Sequence, residues 1–276
     1  IDGGYDITQA HSGDFAEVIV YNRYLNKAQQ IILTNYLASK YAITLTDNNL
    51  VPEAGGAFYF EDVIGIGQAD DGSFHLDSEG DGIIRISDAS DLGNDEFLFV
   101  GREVPNPAKV DSGNNNSQNS TSKKPPFSYN FATNSSGNYR ERINARWRVR
   151  RRNNPGTVTV RINLNGIDLS GKEACSTLQL VVDNNRDMLS PTNTYNLTHL
   201  GGNRYRATGV SFNNNDYFSI EYTDKIVLDG TQFYNGSGAS NRPDASDTCY
   251  KLLVKNDATG ALTLSENANV REIEVE

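Results

Sequence analysis

The sequence predicts an all-β fold, an antiparallel β-sandwich with one N-terminal helix packed on it. Three observations predict it. Short runs of apolar and β-branched residues recur with the two-residue period of half-buried strands. Turn-forming clusters separate them, as at Asn153-Asn-Pro-Gly, Gly201-Gly-Asn and Asn213-Asn-Asn-Asp, where Asn, Gly and Pro each supply turn geometry. The runs follow one another too closely for the crossover helices that parallel strands need.

Residues 14–22, with Phe15, Val18, Ile19, Val20 and Tyr21, read as a first strand. The helix follows. Asn26, with Gln29 three residues later, is a capping signal, and Leu25, Ala28, Ile32 and Tyr36, widened by Leu33 and Leu37, recur at helical spacing. After residue 46 the pattern is that of strands: 58–67, 82–87 and 96–101, then 146–150, 157–164, 178–182, 204–212 and 217–222. Such even spacing suits a sandwich of immunoglobulin-like or jelly-roll-like form. Residues 105–138 hold an Asn/Ser-rich tract and few aliphatic residues and read as a long surface insertion. Beyond a polar stretch at 230–247, runs at 250–254 and 261–264 suggest further strands.

Composition narrows the function classes. The net charge of -10 argues against a nucleic-acid partner, because displacing counterions from a polyanion takes a basic surface. No run of 18 apolar residues is present, so no membrane insertion is expected. The sequence opens on Ile1 and closes on an alternating run, and it reads as a segment of a longer chain. Cys175 and Cys249 lack the spacing of a cysteine zinc site. Two readings stay open for them, a disulfide and two buried thiols.

Several phrases carry a resemblance. Gly13-Asp-Phe-Ala-Glu-Val-Ile-Val-Tyr-Asn-Arg and Tyr36-Leu-Ala-Ser-Lys-Tyr-Ala-Ile-Thr-Leu resemble the last strand and trailing helix of laminin-G-like, concanavalin-like jelly rolls in large secreted proteins of Bacteroidota. Asp62-Val-Ile-Gly-Ile-Gly, Asp95-Glu-Phe-Leu-Phe-Val-Gly, Arg146-Trp-Arg-Val, Leu178-Gln-Leu-Val-Val-Asp and Asp216-Tyr-Phe-Ser-Ile resemble the β-rich domain of unknown function that commonly follows. The resemblance covers residues 13–224 and implies secretion by the type 9 system, display at the cell surface, and no established activity. The implied organisation is the end of a jelly roll at 1–45, a β-sandwich at 46–224 with its insertion at 105–138, and at 225–276 a further β module or an added layer.

Several motifs are candidate sites. Asp183, Asn185 and Asp187 alternate oxygen side chains after a strand and could wrap calcium. The spacing departs from the EF-hand pattern, and a polar turn satisfied by its own backbone is the competing reading. The acidic stretch Asp70-Asp71-Gly72-Ser73 with Asp77, Glu79 and Asp81 reads as a soluble turn, with a cation site as the alternative. In Arg146-Trp147-Arg148-Val149-Arg150, arginines share one strand face and Trp147 and Val149 the other. That pattern predicts Trp inward and arginines outward, paired with an acidic surface; an anion or polysaccharide patch is the competing reading. Gly65-Ile-Gly67 reads as a strand bend. His11, His75 and His199 show no metal spacing, and no nucleophile or carboxylate pair stands in a marked phrase. The expected function is therefore a non-catalytic structural or adhesive module of an extracellular protein. It would contact neighbouring domains of the same chain, and glycans or surface proteins. A carbohydrate-binding accessory region and a filament or sheath subunit are the alternatives.

Overall fold

The computed structural model describes residues 13–51, 58–105, 127–132, 138–169, 178–228, 250–254 and 270–275. Two sheets face each other, and a helix packs on the outer side of the larger one. The helix α1 spans Lys27–Tyr41. Its start is the capping box expected from the sequence: the Asn26 side chain accepts from the Gln29 backbone N–H, and the Gln29 side chain accepts from the Asn26 N–H. Ala42 ends it in the left-handed conformation. Its buried stripe is Ala28, Ile31, Ile32, Asn35, Ala38 and Ser39, turned away from the Leu25–Leu33–Leu37 side of the expected one. The reason is polar: Asn35 and Ser39 point inward because they serve backbone groups there. Asn35 donates to the carbonyls of Ile31 and Asn48 and accepts from the amides of Leu50 and Val51, and Ser39 donates to the Phe60 carbonyl.

The strands are β1 (Phe58–Gln68), β2 (Phe74–His75), β3 (Asp77–Gly80), β4 (Ile84–Ser87), β5 (Glu96–Pro105), β6 (Phe127–Ala132), β7 (Asn138–Ile143), β8 (Trp147–Arg152), β9 (Val158–Asn163), β10 (Leu178–Asp183), β11 (Asn193–Asn196), β12 (Thr198–Gly201), β13 (Arg204–Val210), β14 (Tyr217–Leu228), β15 (Tyr250–Val254) and β16 (Val270–Val275). The larger sheet runs β11-β10-β14-β8-β5-β1-β2, with β7 on the second half of β14 and β6 on β7. The smaller runs β12-β13-β9-β4-β3. Pairing is antiparallel in both, except that β15 joins β14, and β16 joins β15, in parallel. The antiparallel sandwich with one packed helix is thus the observed fold.

The inward faces of the two sheets make the main core, from Ile64, Ile66, Leu98, Val100, Trp147, Val149, Leu180, Val182, Phe218 and Ile220 on one side and Ile84, Ile86, Val160, Ile162, Ala207 and Val210 on the other. Trp147 stacks on Phe218 at 5.5 Å between ring centroids, and its Nε1–H donates to Asp81 Oδ2 at 2.7 Å. A second core lies under α1, where Ala28, Ile31 and Ile32 meet Phe60, Val63, Phe97 and Phe99.

Four expectations change. Residues 14–22 form no strand: Val20 is 81 % and Phe15 63 % exposed, because among the described residues no strand pairs with them. Gly65 and Gly67 sit in regular register with Phe99 and Phe97, and the irregularity of β1 falls earlier, between Glu61 and Ile64. A Cβ on Gly65 would meet the Phe99 ring at 2.8 Å, so these glycines admit rings and helix. Within the 105–138 insertion stands β6, and its neighbours at 106–126 and 133–137 lie outside the described residues. Asp77 and Glu79 belong to strand β3, facing Arg85, whereas Asp71 does close a turn by accepting from Ser73 N–H.

Candidate functional site

The outer face of the larger sheet carries charge beside α1. The two-residue period of β8 turns Trp147 and Val149 into the core and the arginines to the other side, as expected. Their partners differ from expectation. Arg146 is only 2 % exposed. It donates from Nε and Nη2 to Glu103 Oε2 at 2.9 and 2.7 Å, and Arg186 reaches the same oxygen from the 183–189 loop at 3.0 Å. Arg142 donates to Glu221 Oε1, another buried pair. The loop 183–189 lends carbonyls to both guanidinium groups, so of the arginines that the sequence placed against an acidic surface Arg146 is buried, while Arg148 and Arg150 are half-buried and donate to Asn215. The guanidinium groups of Arg146 and Arg148 lie 5.7 and 5.3 Å from the Tyr217 ring centroid, a favourable geometry. Buried pairs of this kind hold geometry more than they add stability, since desolvation offsets most of the attraction.

The residues considered for calcium all stand in that loop. Asp183 ends β10 and is 1 % exposed, while Asn185 and Asp187 are exposed. Asp183 Oδ1 accepts from Asn185 N–H at 2.9 Å, and Asp187 Oδ1 from Leu189 N–H at 3.2 Å. These are Asx turns. The loop carbonyls of Arg186 and Met188 accept from Arg146 and Arg142. Among the described residues no group of three or more His, Cys, Asp or Glu side chains is arranged to hold a metal ion. Asp183 Oδ2 is buried without a hydrogen-bond partner. Close by, Asp216 is buried, accepts from Asn213 N–H at 2.6 Å, and has its carboxyl pushed above the usual range, first by burial and further by the charge of Asp183. Cys175 and Cys249 lie outside the described residues.

A cleft of about 410 Å³ opens between α1 and the strands β1 and β3. Tyr21, Tyr36, Arg23, Asp62, His75 and Glu79 bring aromatic faces and polar groups to its walls. Asp62 occupies the left-handed region, at φ 50°, inside the β1 irregularity. Bulges re-aim side chains in this way, and such backbone strain concentrates at functional positions. Gly80 makes room for the irregularity: a Cβ there would meet Ile64 at 2.4 Å and the Asp62 carbonyl at 2.8 Å. Burial holds the His75 imidazole below its ordinary pKa. The cleft has the size and mixed lining of a small-ligand site. Sequence reasoning missed it because its walls come from three separated segments, and the acidic stretch that includes Glu79 looked like a turn.

Among the described residues no helix is long and apolar enough to cross a membrane. Comparison with known families matches residues 92–216 to a domain of unknown function, DUF8202. The folded unit extends beyond that segment on both sides, since β1 pairs with β5 and β14 pairs with β8 and β10. The comparisons with curated proteins and with solved structures gave no match.

Proposed function

We propose that this chain is a non-catalytic structural or adhesive module of a larger extracellular surface protein. The observation that carries the reading is the segment 15–21. Five of its residues, Phe15, Val18, Ile19, Val20 and Tyr21, are large, apolar and exposed, in a phrase with the composition of a strand. Contiguous apolar exposure of this kind marks a contact surface, and a strand-forming segment that belongs to no described sheet is a template for joining a neighbouring one. Glu17 ties the segment to α1, accepting from Lys40 Nζ and Tyr41 Oη at 3.0 Å each. A neighbouring module of the parent chain is the partner that fits. Hydrogen exchange of the parent protein is the test. Protected amides at 15–21 support the reading, and exchange at free-peptide rates overturns it.

The cleft favours a second reading, a carbohydrate-binding region. Tyr21 and Tyr36 offer ring faces and Asp62, Glu79 and Arg23 offer polar partners, the combination that holds a sugar ring. Retention on a neutral-glycan column, abolished by Tyr36→Ala, would support it. Absence of binding to any glycan would set it aside.

A further inference from the structure

The solvent side of the smaller sheet carries a row of like charges. Thr198, Arg206, Arg161, Arg85 and Glu79 stand directly opposite one another across β12, β13, β9, β4 and β3. Three arginines therefore occupy adjacent strands, about 4.8 Å apart. Arg204 lies two residues from Arg206 on the same face of β13. Like charges placed opposite each other destabilise a sheet, so the row calls for counter-charge.

Among the described residues that counter-charge stands at one end of the row. Asp77 accepts two bonds from Arg85, at 2.7 and 2.5 Å, and Glu79 is 3.9 Å from it. Asp88 lies 3.4 Å from Arg161, which also donates to Ser87. Toward β13 the compensation stops: among the described residues Arg204 and Arg206 form no ion pair, and Arg206 Nε is buried without a hydrogen-bond partner. A groove of about 380 Å³ runs along this face, lined by Arg85, Arg161, Asn163, Arg204 and, from β3, Glu79, with Arg206 on the same face beside Arg161.

We propose that this face binds an acidic polysaccharide, whose carboxylate or sulfate groups engage Arg161, Arg204 and Arg206. The proposal rests on the contact-module reading and names the chemistry of one contact. Guanidinium forks match such anions with two parallel bonds. An extended acidic peptide fits worse, because its same-face side chains recur at about 6.8 Å, twice the rise per strand residue, against the narrower strand spacing of the row. Duplex nucleic acid fits worse still. It carries a charge about every 1.7 Å, far closer than the strand spacing of the row.

The test is affinity electrophoresis of the full chain in gels containing polygalacturonate, dextran sulfate or uncharged dextran. Retardation by the two acidic polymers, absent in dextran and weakening as salt rises, is expected. The double variant Arg161→Gln/Arg206→Gln should lose it, while the charge-matched Lys27→Gln/Arg152→Gln, on α1 and the larger sheet, should keep it. Unchanged melting of the double variant shows that the loss is one of binding. A double variant still retarded like the parent overturns the proposal, as does equal competition by polyglutamate or DNA. A chain that no acidic polymer retards overturns it too, while leaving the contact-module reading to its own test at residues 15–21.

Discussion

Arg146 Nη1 donates to the carbonyl oxygen of Arg186 at 2.6 Å. One arginine, buried on the outer face of the larger sheet, thus fastens the backbone of the loop that carries another, and both side chains converge on Glu103 Oε2. The loop that looked in sequence like a cradle for an inorganic cation is gripped by guanidinium groups.

Glu103 is the hub of that arrangement. Glu103→Gln removes the carboxylate that both Arg146 and Arg186 contact and leaves the buried Arg146 guanidinium facing a neutral amide. Breaking one side of a buried pair costs about 3–5 kcal/mol, so the midpoint of urea unfolding should fall accordingly. Replacing Glu103 and Arg146 together by Leu and Met should recover part of the loss. A Glu103→Gln chain as stable as the parent would refute the role given to the pair.

Asp216 sets a pH dependence. Its carboxyl binds a proton more tightly folded than unfolded, because burial and the neighbouring Asp183 disfavour its charge. Between the ordinary carboxylate pKa and the raised one, the folded state therefore holds more protons. Stability from this group is greatest below that window and falls as pH rises through it. Asp216→Asn should flatten this part of the stability–pH curve, read from urea midpoints across the acidic range.

Gly67 is a packing position. A Cβ there would stand 2.1 Å from the Phe97 ring and 2.7 Å from the Glu96 carbonyl oxygen. The ring can turn but the backbone oxygen cannot retreat without distorting the β1–β5 ladder. Gly67→Ala is expected to destabilise by about 1–3 kcal/mol, the usual range for overpacking, measured by thermal or denaturant unfolding.

Asn35 is a polar residue whose loss should exceed that of its apolar neighbours on the helix flanks. Its amide makes four hydrogen bonds, one within α1 to Ile31 and three to residues 48–51. Asn35→Ala strands buried backbone groups at about 1–3 kcal/mol each. The amides of Leu50 and Val51 should lose protection in hydrogen exchange, whereas Leu37→Ala leaves them protected.

Much of the fold was readable in advance because period and turn chemistry are local. The capping residues Asn26 and Gln29, the faces of β8, and the strands β1, β5, β9, β10, β13 and β14 all follow from patterns within ten residues or so. The strands β2, β3, β11 and β12 escaped because they are two to four residues long and polar, with no apolar face to give them a period. The cleft and the arginine row escaped for another reason. Each is assembled from strands far apart in the chain, so register and helix placement create it.

The amino-acid order settled which residues prefer strand, helix or turn, and which side of each strand is apolar, since these depend on neighbours along the chain. The burial of Arg146 and Arg142, the exposure of residues 15–21 and the alignment of Arg85, Arg161 and Arg206 came from folding in three dimensions. A side chain's partner across a sheet, or the loop above it, is fixed by long-range pairing, and no local period encodes that.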